Sequence, residues 1–465
     1  MPVSTYTNPE LEDTQVDHGA QTSRYRTPLP AGQIATLLLL RFCESASVFV
    51  VFPFLNELIT SVIGGNKEKV GYYAGLMDSV GQIISLVTVM YWSRVSDIIG
   101  RKPILLLGTA ALAVSMISFG LSKTFWGLVV SRCIFRALNS NAGVIKSVVG
   151  EITDSSNSAD AFALLHVPWS VGSSFGSLLG GWLVRPQEHF PTIFPGQFWK
   201  ANPYFLPCAT VAAISLVGFF ITLGLMNEVH ELESDLEPLL PPSNQETTKA
   251  TTEDPVPLRD LLNLRVLIPV LNYTSIAFLH TSSNAIQPLF LAMPVSLGGL
   301  EFNPRQIGTV LSAYGAANAV FQTFFLGVLV RKFGLKNIFL TAMAMFLPMF
   351  GLSPLMNVVA RSGGGSGVIW FFLVCQLAFS MVMELGYGCI YMFITAGAPN
   401  KRSLGATNGL AQTLVAVVRI AAPLFSTALL SFSIERHLFG GYAVYLALWI
   451  MSIGSLYLAS WLSVG

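Results

Sequence analysis

The sequence predicts an all-α integral membrane protein whose twelve transmembrane helices form two six-helix bundles. Charged residues make up 11% of the 465 residues and hydrophobic residues 52%, whereas about a quarter of an ordinary soluble domain is charged. Apolar stretches of roughly twenty residues recur along most of the chain, and each can cross a hydrocarbon core of about 30 Å as a helix. A polar segment separates six such stretches from six more, which predicts the two bundles.

Apolar windows bounded by charged residues, Pro or Gly define the individual spans. The second window is interrupted by Asp78 and Gln82, and the seventh begins close to Pro269. We expect one transmembrane helix in each window, and the windows are 34–56, 71–92, 103–122, 126–148, 162–184, 203–226, 266–291, 306–329, 337–356, 368–395, 406–431 and 441–463.

The polar segments predict the domain organisation: a tail at 1–33, an N-terminal bundle at 34–226, a linker at 227–264 and a C-terminal bundle at 265–465. The linker is rich in acidic residues, Pro and Thr and, like the tail, has little apolar surface to bury, so we expect both to be disordered. Lys and Arg are more frequent on the side of the tail and linker than in the opposite loops. This bias favours cytoplasmic termini.

The membrane in which the protein resides is left open between the plasma membrane and the vacuolar membrane. The linker contains DLEPLL at 235–240, which has the acid-x-x-x-Leu-Leu spacing of a vacuolar or lysosomal sorting signal. Short patterns of this kind also arise by chance in acidic linkers.

A charged island recurs at corresponding places in the two halves. SRVSDIIGRKP begins at Ser93, between the second and third spans, and GVLVRKFGLKN begins at Gly327, between the eighth and ninth. Each copy places a glycine, Gly100 or Gly334, two residues before a lysine. Parallel repeats of this kind build many secondary transporters, whose substrate sites lie between the repeats near the middle of the membrane.

The first island resembles the signature loop of the major facilitator superfamily, Gly-x-x-x-Asp-Arg/Lys-x-Gly-Arg/Lys-Arg/Lys. Four residues match that pattern, while Ser93 and Ile98 depart from it; the matching residues are Asp97, Gly100, Arg101 and Lys102. The fourth span also resembles the Arg-containing fourth helix of that superfamily, with Arg132 at the matching position. The resemblance implies a twelve-helix transporter.

Two further spans resemble the antiporter branch of the superfamily. GSSFGSLLGGW in the fifth span is similar to Gly-x-x-x-Gly-Pro-x-x-Gly-Gly, with Ser177 in place of the proline. GATNGLAQTLVAVVRIAAP in the eleventh span is similar to the corresponding helix of the fungal-type drug:proton antiporter and zinc-induced-facilitator-like groups, and it contains Pro423. Small residues four apart also let helices approach closely, so we expect the fifth span to pack on the eighth through Gly172, Gly176, Gly180 and Gly181.

The island is interpreted as a gating latch. Asp97 at the end of the second span can pair with Arg101 and, through it, with Glu151 at the end of the fourth. Such a cluster, with Gly100 and Lys102, would hold one face closed and break when that face opens. The alternative is a tight turn with cations that anchor it on the cytoplasmic side.

Charges inside the spans are the candidates for proton coupling. Arg41 and Glu44 are three residues apart and share one helix face. Because an unpaired charge at this depth costs on the order of 3 kcal/mol or more, both should face the bundle interior. Glu44 is the first candidate for proton binding, with Asp78 and Glu384 next, and the resemblance implies that Arg132 assists proton transfer. The alternative is a static Arg41–Glu44 pair.

The remaining polar residues inside spans are candidates for the substrate cavity. Arg136 could bind an anionic substrate group, although we favour an ion pair with Glu44 or Asp78. His166 and His280 are interpreted as hydrogen-bonded rather than proton-carrying, and Lys146 is a further cation within a span. The predicted cavity residues are Arg136, Asn139, Gln287, Asn318, Gln322, Asn408, Gln412 and Arg419.

The resemblance implies a secondary active transporter, and we expect proton-coupled export of small organic molecules such as drugs or secondary metabolites. The alternatives are proton-linked transport of organic ions or metal chelates, and a membrane nutrient sensor that does not transport. No enzyme motif, metal cluster or cofactor site is visible, and the five cysteines stand singly. The expected partners are a small-molecule substrate, protons and the lipid bilayer, without nucleic acid, and the expected state is a monomer.

Overall fold

The computed structural model describes residues 30–139, 141–153, 161, 164–226, 263–397 and 404–462. Almost all of the predicted tail and linker, with the DLEPLL segment, lie outside these residues, and so do the side chains of Asp97 and His166.

The described residues form the twelve predicted spans, here α1 to α12, and three spans consist of two helices. Eight of the spans are long and apolar enough to cross a membrane by length and composition; the other four, α1, α4, α5 and α7, are broken, shorter or richer in polar side chains. The helices of the first half are α1a (Ala31–Phe49), α1b (Leu55–Val62), α2 (Val70–Ile99), α3 (Arg101–Leu121), α4a (Phe125–Leu138), α4b (Asn141–Ile152), α5 (His166–Trp182) and α6 (Phe205–Leu225). Those of the second half are α7 (Leu264–Ala292), α8 (Pro304–Phe333), α9a (Leu335–Ala344), α9b (Phe346–Arg361), α10 (Ser366–Gly397), α11 (Leu404–Glu435) and α12 (Ala443–Ser460).

The breaks in α1 and α4 have identifiable local causes. Pro53 lies between α1a and α1b, and proline removes a helical hydrogen bond and clashes with the preceding turn. In α4, Asn139 has extended backbone angles, and its side-chain oxygen accepts a hydrogen bond from the Asn141 amide at 3.0 Å. Asn139 thus accepts a hydrogen bond from the first residue of α4b, and its predicted place in the cavity stays a prediction.

The repeated glycines have the same unusual backbone conformation. Gly100 between α2 and α3 has φ 99° and ψ 162°, and Gly334 between α8 and α9a has φ 81° and ψ 152°. Residues with a side chain rarely adopt a positive φ, so both sharp turns require glycine. The predicted end of the second span at residue 92 implied that most of the first island is a loop, and this is wrong. Helix α2 continues to Ile99, and Asp97 lies on its last turn.

We call the side of the membrane that holds the Gly100 and Gly334 turns the linker face, because α6 ends and α7 begins there. The two halves meet mainly through α5 with α8 and α2 with α11. Within the described residues, every hydrogen bond between the halves lies in the part away from the linker face. These bonds join Tyr72 to Glu435, Ser79 to the Ile420 carbonyl and Trp182 to Thr309, at 3.3, 2.8 and 3.2 Å.

The glycines of α5 divide between two neighbours, which corrects the expectation that all four pack on α8. A Cβ on Gly172 would lie 2.6 Å from the Phe42 carbonyl oxygen, and Gly176 and Gly180 similarly face the α1a backbone and its C-terminal end. Only Gly181 faces α8, where a Cβ would lie 2.9 Å from the Gly308 Cα. Three of these glycines thus hold the first half together, and one holds the halves to each other.

Candidate functional site

A cavity lies between the halves, next to their closed contact. Asp78 and Arg132 line it on the side of the first half, and Asn284, Pro288 and Pro423 line it on the side of the second. Its volume is about 50 Å³, which is room for a few water molecules. We call the space between the halves on the linker-face side of this cavity the passage.

Arg41 and Glu44 on α1a form the ion pair that their spacing predicts. Arg41 Nη1 lies 2.6 Å from Glu44 Oε2, and the two side chains are 22% and 13% exposed. The Arg41 guanidinium also lies 4.4 Å from the centre of the Trp169 ring on α5, within the range of a cation–π contact. The pair is thus neutralised locally and attached to α5.

Asp78, Arg132 and Arg136 share the cavity without forming ion pairs. Arg132 interacts electrostatically with Asp78 and with Arg136, but no described carboxylate oxygen lies within 4.0 Å of either guanidinium. The stem of Arg136 lies over Gly81, where a Cβ would be 3.3 Å from its Cγ. The favoured pairing of Arg136 with Glu44 or Asp78 is therefore wrong for this conformation.

A second acid–base pair joins α7 to α10 and was missed by the sequence reasoning. His280 Nε2 lies 2.8 Å from Glu384 Oε1, and the Asn284 amide lies 3.0 Å from the same nitrogen. The other ring nitrogen, Nδ1, is 2.9 Å from the Tyr387 hydroxyl. That hydroxyl can donate to a neutral imidazole or accept from a charged one, so His280 keeps a partner in both protonation states.

Two cations from opposite halves, Lys146 and Arg419, lie within electrostatic range of each other. The Lys146 ammonium on α4b is repelled by Arg41 and by Arg419 of α11, and it is attracted by Glu44. Lys146 and Arg419 are exposed, and no described acid lies within 4.0 Å of either. The sequence analysis noted Lys146 as a cation within a span but gave it no role. A cation within a span is itself the signal that could have marked Lys146 as a site residue.

The predicted partner of Arg101 in the latch is present. Arg101 Nη2 lies 2.6 Å from Glu151 Oε1, and Nη1 donates to Ser96 Oγ at 2.6 Å. The pair joins the start of α3 to the end of α4b on the linker face. Its role as a latch stays a prediction.

The other predicted cavity residues differ in their contacts and exposure. Gln287 donates to Gln376 Oε1 at 3.1 Å, between α7 and α10, and Gln412 donates to the Tyr273 hydroxyl at 3.4 Å. Among the remaining three, Asn318 has a buried side-chain oxygen without a hydrogen-bond partner in the described part of the chain, Gln322 is partly exposed and Asn408 is exposed. Their roles stay predictions.

Two helical bundles that enclose a charged passage, closed at one face, define a multi-pass membrane transporter by fold and site. The family model described as "Major Facilitator Superfamily" matches residues 37–423. The chain therefore belongs to this superfamily.

The similar proteins include fungal and plant members of the group expected from the sequence. The chain is 26% identical to the major facilitator-type transporter psiT2 of Psilocybe cyanescens, with 97% of this chain and 91% of that protein covered. It is 26% identical to the efflux pump azaK of Aspergillus niger, with 90% and 85% covered. It is 25% identical to Protein ZINC INDUCED FACILITATOR 1 of Arabidopsis thaliana, with 90% and 87% covered.

A solved structure with the same fold is that of a bacterial homologue of the human lysosomal transporter Spinster in an inward-facing, occupied conformation. The TM-score is 0.67 at 14% identity, with 94% of this chain and 98% of that chain covered. The likeness shows the fold.

Proposed function

We propose that this transporter is a proton-coupled exporter of small organic molecules that works by alternating access. The observation that carries the proposal is the His280–Glu384 pair with its Tyr387 partner, which lies inside the second half. An ionisable pair within a membrane bundle is energetically costly, so its presence points to a functional role. Histidine also changes charge in the physiological pH range.

Glu44 and Glu384 are the proposed proton carriers, one in each half. Each carboxylate faces a basic group within its own half, at 2.6 Å from Arg41 and 2.8 Å from His280. Protonation of either acid neutralises it and weakens its ion pair. The position of α1a against α5, or of α7 against α10, can therefore depend on proton binding, which is what coupling requires.

Export of small organic molecules is supported by the relatives. The azaK protein is described as an efflux pump, and its similarity to this chain covers 90% of this chain and 85% of azaK. The two halves are hydrogen-bonded to each other away from the linker face, so substrate would enter from the linker face. This closure on one side supports alternating access. We further propose that the linker face is cytoplasmic, so that export begins from the state described here.

The test uses the purified full chain in liposomes with an imposed pH gradient and two dyes, rhodamine 123 and fluorescein. We expect the gradient to drive accumulation of at least one dye. Glu384→Gln and Glu44→Gln should lose this accumulation while retaining exchange of dye across the membrane without a gradient, because neutral side chains can neither bind nor release the proton.

The matched control is Glu188→Gln, which removes an exposed carboxylate from the loop between α5 and α6 and should leave accumulation unchanged. Dye flux at the same rate with and without the pH gradient would contradict proton coupling and would indicate a uniporter. Gradient-driven accumulation in both cavity variants would remove Glu44 and Glu384 from their proposed roles.

A further inference from the structure

The passage carries more positive than negative charge in its spans. The paired acids Glu44 and Glu384 offset only the groups they contact, and Asp78 stands near two arginines. The cations within spans outnumber the three acids; they are Arg41, Arg132, Arg136, Lys146 and Arg419. Lys146 on α4b and Arg419 on α11 belong to opposite halves, and their charges repel each other.

Lys146 and Arg419 are charges without an acidic partner among the described residues. Both are exposed, and the repulsion of Lys146 from Arg41 and Arg419 exceeds its attraction to Glu44. A cation within a span costs several kcal/mol unless it faces water or a partner. Because both side chains are exposed, water offsets that cost here, and neither charge is neutralised by an acid as Arg41 is by Glu44. An anion can therefore reach either cation without first displacing an acid.

We propose that Lys146 and Arg419 form a two-sided site for the anionic group, a carboxylate or phosphate, of a small organic substrate. This inference rests on the proposed transport function and names its substrate class. Both side chains are hydrogen-bond donors that suit such oxygens, and arginine can present a bidentate fork. Tyr387 and Tyr391 lie within electrostatic range of Arg419 and add hydroxyl groups to the C-terminal side of the site.

The placement of the two cations in opposite halves gives the anion a mechanical role. In the state described here, the halves touch away from the linker face, and closing the linker face would bring Lys146 closer to Arg419. Their repulsion opposes that step in the empty protein. A bound anion contacts both cations and removes this barrier, so closure follows substrate binding.

The test is equilibrium binding to the purified full chain in detergent, without a pH gradient, using fluorescein and rhodamine 123. The two probes share a xanthene ring system, but fluorescein is anionic and rhodamine 123 is cationic. We expect fluorescein to bind more tightly. Lys146→Gln and Arg419→Gln should each weaken fluorescein binding roughly 10-fold or more, while Lys146→Arg should keep most of it.

Lys123→Gln is the control, because it removes the same charge from the loop between α3 and α4. The melting temperature of each variant shows that it is folded. Equal affinity for the two probes, or fluorescein binding that survives both neutral substitutions, would overturn the inference. Because no gradient is present, this outcome is separate from the proton-coupling test: gradient-driven transport of rhodamine 123 alone would leave the proposed function standing and the anion site refuted.

Discussion

The contact between Gly181 and α8 predicts that a single methyl group will shift the protein away from the state described here. A Cβ on Gly181 would lie 2.6 Å from the Pro304 carbonyl oxygen and 2.9 Å from the Gly308 Cα. Both neighbours are backbone atoms, so neither can rotate out of the way. Gly181→Ala therefore requires α5 and α8 to separate at the closed face.

The size of the shift follows from the cost of overpacking. Inserting a methyl group into a tightly packed contact costs about 1–3 kcal/mol. In alternating access, the opposite state parts α5 from α8 at this face, so only the described state bears the cost. The ratio of the two states should then change roughly 5- to 150-fold in favour of the state open at this face.

The assay measures how fast a water-soluble maleimide labels a cysteine at the closed seam. Ser431→Cys is the reporter, because Ser431 lies on α11 against Gly71 and is 1% exposed. The five native cysteines are replaced by alanine in the background protein. If labelling requires opening, Gly181→Ala should raise the labelling rate by roughly the same 5- to 150-fold factor.

Gly172→Ala separates a shift between states from general damage. Its Cβ would meet the Phe42 carbonyl oxygen at 2.6 Å, an equally tight contact, but α1a and α5 belong to the same half. We expect this variant to lower the melting temperature without raising the labelling rate of the reporter cysteine. An unchanged labelling rate in a folded Gly181→Ala protein, or an equal rise in both variants, would refute the reasoning.

Two further predictions concern the linker face. Gly100→Ala should destabilise the protein by about 1–3 kcal/mol, because φ 99° with ψ 162° is nearly exclusive to glycine; thermal unfolding of the purified protein measures this, and Gly150→Ala, with open space around it, should show no loss. Reversal of one charge of the Arg101–Glu151 pair, whose side chains are 15% and 34% exposed, as Arg101→Glu or Glu151→Arg, should reduce dye transport in liposomes, and the melting temperature of each variant shows whether it is folded. The double reversal should restore transport, and failure to do so would count against the pair as a latch.

The fold was predictable because it depends on composition over long windows. Twenty apolar residues must form a helix in a membrane, since no water is present to satisfy the backbone, and the predicted twelve spans are confirmed. The boundaries were less predictable. The charges around Asp97 suggested that α2 ends near residue 92, but a helix can continue past the hydrocarbon with polar residues on its last turns, and α2 ends only at Gly100.

Contacts within the site were predictable only where they are local. Arg41 and Glu44 are three residues apart, so helix geometry alone brings them together. His280 and Glu384 lie on different helices, and no spacing rule connects them. The glycines of α5 show the same limit: their spacing predicts close packing, but the partner of each depends on how α5 is rotated between α1a and α8.

The ionisable groups of the passage fall into two kinds, and this division bears on coupling. The proposed proton carriers, Glu44 and Glu384, are paired within one half, so protonation changes each half internally. Lys146 and Arg419 lie in different halves and repel each other, so the empty protein resists closure of the linker face. A transporter that closed when empty would return protons without substrate. On the proposed assignment, the repulsion suppresses that leak, and Lys146→Gln should increase proton leak through liposomes that contain no dye. An unchanged leak in the folded variant would contradict this role for the repulsion.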